Sequence, residues 1–220
     1  MQQPGHERVF NLPAVILLLI ASMGLVHAFR LYGMSPEEDI SFLGLLAFVP
    51  ARLTAQFDAA GVAAAFRQLA LKGGDAIEFA RFFFGDGSPQ AWTVLTYSFL
   101  HADWVHFGLN SIWLAAFGAP VARRIGAWRF VTLFIITAVA GAAAHYVFHR
   151  FDAAPVIGAS AAVSGAMAAA IRFVFQPGAP LGQTLGYDGD ENAAYHRPAL
   201  PLSQVLKVRR ARTFLLFWFA

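Results

Sequence analysis

Cysteine is absent from the 220 residues of this sequence. Disulfide bonds and catalysis by a thiolate are therefore excluded, and cysteine usage gives no indication of a redox compartment. Charged residues are also scarce: they form 13% of the chain, whereas they form about 25% of an average soluble domain. So few charges do not fit the surface of an ordinary water-soluble protein.

The sequence also has no dense block of basic residues, although its formal net charge is +3 and its isoelectric point is about 9.6. The cations are divided among the stretches between apolar runs, which is the distribution that membrane topology produces. A nucleic-acid surface needs a continuous basic face. We therefore expect no nucleic-acid partner.

Hydrophobic residues dominate instead, at 58% of the chain, and they include 22 phenylalanines. A chain of this length cannot hide so much apolar surface from water, whereas the lipid bilayer can. A helix needs about 20 apolar residues to cross about 30 Å of hydrocarbon. Four runs predict complete spanning helices, at about 12–29, 104–121, 130–148 and 155–171.

The last apolar run, 213–220, is shorter than the others. Its eight residues would extend about 12 Å as a helix, so we expect that the sequence stops within a fifth helix. Between the runs lie a long structured loop, 32–90, and a polar loop, 176–212; Asn11 is the predicted N-cap of the first helix. The predicted fold is a single domain, 1–220: an all-α polytopic membrane protein with four complete transmembrane helices plus the start of a fifth.

The cations between the runs predict how this bundle is oriented. Three arginines separate the second and third runs, and the loop 176–212 carries five further cations (Arg123, Arg124 and Arg129; Arg197, Lys207, Arg209, Arg210 and Arg212). The short connection after the third run holds Arg150 with Asp152. Cytoplasmic loops are enriched in Lys and Arg, which predicts that the N-terminus lies inside and the loop 32–90 outside.

A small set of polar side chains inside the predicted spans points to chemistry, because such groups are costly in a membrane. His106 and Asn110 are four residues apart, as are Ser160 and Ser164, so each pair shares one helical face. His106, Asn110 and Ser160 fall within about 10 Å of the outer surface at 1.5 Å per residue. They could face one cavity; alternatively, the serines bond to their own helix carbonyls.

Two stretches carry a resemblance to a known family. The sequence "WTVLTYSFLHADWVHFGLNSIWLAAFGAPVARRIGAWRF", followed by "AGAAAHYVFHRFDAAPVIGASAAVSGAMAAAIRF", resembles bacterial rhomboid proteases over about residues 91–175. That family places a His and an Asn four apart on its second helix, and a G-x-S-G serine on its fourth. The resemblance implies a rhomboid-like helical bundle and an intramembrane serine endopeptidase in a bacterial inner membrane.

Residue by residue, the resemblance implies that Ser160 is the nucleophile and that His106 and Asn110 stabilise the oxyanion. It also implies transmembrane protein substrates, cleaved near the outer face, and no cofactor or metal. The motif reads Gly158, Ala159, Ser160 and then Ala161, where the family usually has a second Gly. Alanine is the smallest replacement and glycine there is not a reacting group, so the expectation stands.

The general base is the second departure from the family. A serine hydroxyl is a poor nucleophile unless a base takes its proton. The family uses a His on its sixth helix, so we expect this His beyond residue 220, and the chain alone is expected to be inactive. His145, near the outer end of the third run, is the alternative base.

Rival interpretations remain open at this stage. One is a non-catalytic rhomboid relative that binds membrane clients, and another is a small transporter or channel, although the polar set lies toward one face and no repeat is visible. A metal could be shared by His145 and His149, or by His101 with Asp103 and His106. No HExxH pattern is present to favour a metal site.

Overall fold

The computed structural model describes residues 12–176, 179 and 195–219, without the side chains of 217 and 219. The predicted N-cap Asn11 and the central part of the loop 176–212 lie outside the described residues. The first helix has Pro13 at its N-cap position, so the predicted cap is wrong. The described chain is helical, and its α-helices are α1 Ala14–Gly33, α2 Pro36–Leu46, α3 Pro50–Ala55, α4 Ala59–Ala70, α5 Gly74–Phe84, α6 Thr93–Thr96, α7 Trp104–Trp113, α8 Ala119–Ile125, α9 Ala127–His149, α10 Ser160–Ala170, α11 Leu202–Val205 and α12 Arg209–Phe219.

Three helical stretches among the described residues are long and apolar enough to cross a membrane: Ala14–Gly33, Trp104–Ile125 and Ala127–His149. The all-α membrane fold that the sequence predicts is confirmed, whereas the predicted number of four complete spans is not, because the helix Ser160–Ala170 is shorter than these three. The protein is an integral membrane protein.

The second of these stretches is not a uniform α-helix. Residues Leu114–Gly118 form a π-helical turn between α7 and α8. Pro120 lies at the beginning of α8 and has no N–H to donate to the preceding turn. A widened turn at this point is an expected consequence, because it accommodates the missing bond while the helix continues in one direction.

The fourth predicted helix begins later than the sequence indicated. We predicted a span over 155–171 with Ser160 about five residues inside it, whereas α10 starts at Ser160 and has 11 residues. The preceding segment is not helical because Gly158 has a φ of +117°, which interrupts right-handed helical geometry. Ser160 therefore lies at the beginning of a helix, and this corrects its predicted place.

Residues 34–92, which we call the α2–α5 module, fold as a compact helical unit that takes up most of the predicted loop 32–90 and ends two residues beyond it. Ser35 caps α2 in a capping box with Glu38, and Asp58 caps α4. Arg52 is almost fully buried and donates from Nη1 to the Gly44 carbonyl at 2.7 Å and from Nε to the Phe84 carbonyl at 3.2 Å. The buried guanidinium thus ties α3 to the ends of α2 and α5.

The module and the start of α10 lie at the same end of the bundle. Phe48 and Val156 exchange two backbone hydrogen bonds, of 3.1 and 2.8 Å. At the opposite end, Arg124 donates to the Tyr195 carbonyl at 3.0 Å, and Arg172 donates to the Leu200 carbonyl at 2.9 Å. Arg124, one of the cations that predicted the topology, therefore lies at the end of the bundle away from Ser160.

Candidate active site

His106 lies in the first turn of α7, where a cap fixes the helix start. The Asp103 carboxylate accepts a hydrogen bond of 2.7 Å from the His106 backbone N–H. The His106 ring accepts at Nδ1 from the Ala102 N–H, at 3.5 Å. An imidazole that accepts at Nδ1 carries its proton at Nε2 when neutral, which leaves Nε2–H as a donor.

Asn110 follows one turn later and is buried. Its amide nitrogen donates to the His106 carbonyl at 3.0 Å. That bond fixes the side chain on the face of α7 that also carries His106, as the four-residue spacing predicted. The amide has a second N–H in addition to the one that this bond uses, so it retains donor capacity.

Gly158 brings the His106 ring against the segment that leads to Ser160. A Cβ added to Gly158 would lie 2.7 Å from both Cε1 and Nε2 of His106. That separation is too short for two non-bonded carbon atoms, so no other residue fits here without displacing the ring. The φ of +117° restricts this position to glycine independently. The first glycine of the motif thus forms the contact between α7 and the serine segment.

The non-helical segment 151–159 is held on both sides by backbone hydrogen bonds. The Ala51 N–H donates to the Asp152 carbonyl at 2.9 Å, and the Gly158 N–H donates to the Tyr97 carbonyl at 2.9 Å. Together with the Phe48–Val156 pair, these bonds determine where the chain turns into α10. Sequence reasoning missed Tyr97, because a backbone acceptor leaves no signal in residue type.

Ser160 is the first residue of α10 and is exposed. The first N–H groups of a helix have no acceptor within that helix, and neither the N–H nor the hydroxyl of Ser160 has a hydrogen-bond partner in the part of the chain that the structure describes. The backbone N–H is aligned with the helix dipole, which favours negative charge at this point. The first turn of α10 therefore offers an anion-stabilising donor beside an unengaged hydroxyl.

His101 is a second residue near the site that sequence reasoning did not include among the catalytic residues. Its ring is fully buried, and its centroid lies 5.1 Å from that of His106. Burial, followed by the neighbouring His106, lowers the pKa of His101 to about 4. Its carbonyl accepts from Arg30 at 2.8 Å, and Arg30 pairs with Asp39 at 2.7 Å.

His145, the alternative base, contacts His149. The ring of His145 is stacked on that of His149, with centroids 4.6 Å apart. No hydrogen bond joins either ring to the Ser160 hydroxyl within residues 12–176 and 195–219. Over the same residues, no three His, Cys, Asp or Glu side chains are arranged to hold a metal ion.

The structure joins His106 to Asn110 through a hydrogen bond and to Gly158 through a ring contact, and Ser160 follows Gly158 by two residues. The arrangement offers an exposed hydroxyl, a helix N-terminus and two side-chain donors at one end of the bundle. Such a set can stabilise the oxyanion of acyl transfer if a carbonyl is bound between them. The catalytic roles of these residues remain predictions.

Comparison with known proteins assigns the central part of the chain. Residues 88–185 match the family profile described as Rhomboid domain. Rhomboid protease GluP of Bacillus subtilis is 32% identical over 78 residues, which cover 36% of this chain and 15% of that protein. Rhomboid-related protein 3 of Homo sapiens is 38% identical over 74 residues, which cover 34% of this chain and 18% of that protein.

The matched segments span less than a fifth of the length of either relative. No solved structure gives a significant match to the chain.

Proposed function

Because residues 88–185 match the Rhomboid domain, we propose that this chain is an intramembrane serine endopeptidase of the rhomboid family. Its substrates are transmembrane proteins, which it cleaves near the outer face of a bacterial inner membrane. The N-terminus lies on the inner side, together with the arginines at the end of the bundle opposite Ser160. One of the two relatives, GluP, is named as a protease, which agrees with this proposal.

The observation that carries the proposal is the contact of His106 with Gly158, two residues before an exposed serine at a helix N-terminus. Intramembrane hydrolysis needs a hydroxyl that water and substrate can reach, with donors fixed around it. A serine buried in the middle of a helix would offer neither. The exposed first residue of α10 offers both.

In the proposed reaction, the Ser160 oxygen attacks the carbonyl carbon of the scissile peptide bond. The developing oxyanion accepts hydrogen bonds from the Ser160 N–H, His106 Nε2 and the Asn110 amide. One such donor is commonly worth about 10²–10³ in rate, because it is fixed before the charge forms. The hydroxyl proton passes to a His that the proposal places beyond residue 220.

The direct test is labelling of Ser160 with a fluorophosphonate probe, on residues 1–220 and on a version extended beyond Ala220. We expect labelling of the extended form, and none in its Ser160→Ala variant. Ser164→Ala is the matched control, because Ser164 lies one turn further along the same face and should leave labelling unchanged. Labelling of residues 1–220 alone would contradict the distant base and would favour His145.

A non-catalytic, rhomboid-like role is the second candidate function. Such a protein would bind transmembrane clients in the lipid bilayer without cleaving them. If the extended form reacted with no probe but still retained a transmembrane client, this candidate would replace the protease.

A further inference from the structure

Helices α9 and α10 are in close contact where Gly141 of α9 faces Ala161 of α10. A Cβ added to Gly141 on α9 would overlap the Ala161 methyl group on α10. It would also lie 3.6 Å from the Ala161 Cα, so the two backbones meet at this point. The space that a side chain at 141 would need is already filled by the methyl group of the residue that follows Ser160.

A third group completes this contact. The Tyr97 hydroxyl donates to the Ala138 carbonyl at 2.8 Å and would lie 3.0 Å from a Cβ at Gly141. The Tyr97 carbonyl accepts from the Gly158 N–H. Tyr97 is buried, so it links α9 to the segment before Ser160 while Gly141 receives the residue after it. The residues on both sides of Ser160 are therefore held, directly or through Tyr97, by the same turn of α9.

We propose that Gly141 is a positioning residue for Ser160: its missing side chain admits the Ala161 methyl group and thereby sets the position of the first turn of α10. The inference rests on the proposed function, in which Ser160 is the nucleophile. Ala161 and Gly141 form a matched pair, and one methyl group fits between the helices. Two methyl groups would push the first turn of α10 away from α9.

A second glycine on the same interface shows why Gly141 is distinct. A Cβ at Gly165 would overlap Thr137, so the interface is tight along its whole length. Gly165 lies five residues, more than one helical turn, beyond Ser160. The Gly141 contact is the one that involves the residue adjacent to the serine.

The test is a double-mutant cycle on the extended protein: Gly141→Ala, Ala161→Gly and the two combined. We expect Gly141→Ala to lower kcat about 10²-fold with KM within about twofold, because a shift of about 1 Å at the nucleophile has this effect. The double variant should recover most of the loss, since the methyl group has moved from one helix to the other. Recovery will be incomplete, because the new methyl group meets the Tyr97 hydroxyl.

A second readout does not depend on catalysis. Residues 1–220 contain no cysteine, so Ser160→Cys in a protein of these residues creates a unique thiol, and its rate of modification by a maleimide reports how accessible the position is. We expect Gly141→Ala to change this rate and Ala161→Gly to restore it. If wild-type protein cleaved nothing, the proposed function would fail, and the thiol rates would still decide the role of Gly141.

Gly44→Ala is the control for replacing a helical glycine. It lies in α2, and a Cβ there meets its nearest neighbour, Phe82, at an ordinary 3.8 Å. Its kcat should equal that of wild type. The inference is overturned if Gly141→Ala leaves both kcat and the thiol rate unchanged, or if the double variant is no better than Gly141→Ala. If Gly141→Ala does not fold, the Ala161→Gly variant tests the proposal by itself. The gap that it leaves beside Gly141 should lower kcat. An unchanged kcat would contradict the proposal.

Discussion

Two regions of this molecule are held together by opposite means. Along the α9–α10 interface, Gly141 and Gly165 allow the backbones to approach until Ala161 and Thr137 fill the remaining space. In the α2–α5 module, large rings do the packing: Phe66 and Phe84 have centroids 5.2 Å apart, and further phenylalanines pack beside them.

The difference follows from the surroundings of each region. Between helices in lipid, apolar burial gives little net attraction, so close van der Waals contact of small residues provides the association. The module includes charged and capped helices, and its buried aromatic side chains are stabilised by removal from water. The close-packed interface leaves its neighbours little freedom, and the candidate nucleophile is at the end of that interface.

The largest expected effect comes from Gly158→Ala, which should lower kcat about 10²–10³-fold in the extended protein. The new methyl group would collide with His106 and would also require a left-handed φ, at about 1–2 kcal/mol. Gly87→Ala is the matched control, because Gly87 also has a positive φ, of +76°, but lies in the module. Equal loss of kcat in both variants would mean that the two regions are not functionally distinct.

Arg52→Ala should be the most damaging change within the module. It leaves the partly buried carbonyls of Gly44 and Phe84 without their donor, which predicts a loss of about 3 kcal/mol in the free energy of unfolding. Protease accessibility of residues 34–92 in reconstituted protein measures this loss. Arg67→Ala, an exposed arginine on α4, should change little, and an equal effect there would contradict the assignment.

His101 should make stability depend on pH. Burial lowers the pKa of His101 to about 4, compared with 6.5 for an unperturbed imidazole, so the folded state binds its proton less readily than the unfolded state. The stabilisation of the folded state by neutral His101 is therefore fully present above pH 6.5, and it is lost as the pH falls from 6.5 to about 4. Thermal unfolding in detergent at several pH values measures it, and His101→Gln should flatten this part of the profile.

Asp58→Ala gives the smallest effect, about 1 kcal/mol, because it removes the cap of α4. Asp58→Asn is the control, since an asparagine side chain can accept the same hydrogen bond from the Gly61 N–H. Hydrogen exchange of the first turn of α4 should increase in the alanine variant alone. A loss of kcat in Asp58→Ala would contradict the separation of the module from the site.

The sequence by itself determined that this is an all-α membrane protein, and its central part matches the Rhomboid domain over residues 88–185. Long apolar runs give that result because a spanning helix satisfies its own backbone hydrogen bonds and needs little beyond length and composition. The spacing of His106 and Asn110 likewise predicted a shared face, because helical periodicity is a local property. The serine motif and its predicted role came from family resemblance.

The tertiary structure decided where α10 begins and what surrounds Ser160. Apolar composition is continuous from Pro155 onward, so hydropathy alone placed the serine inside a helix. The actual start depends on Gly158, whose backbone conformation is fixed by the ring of His106 and the carbonyl of Tyr97. Contacts between residues distant in the chain have no local periodicity, which is why the partnership of Gly141 with Ala161 became visible only when the helices were packed.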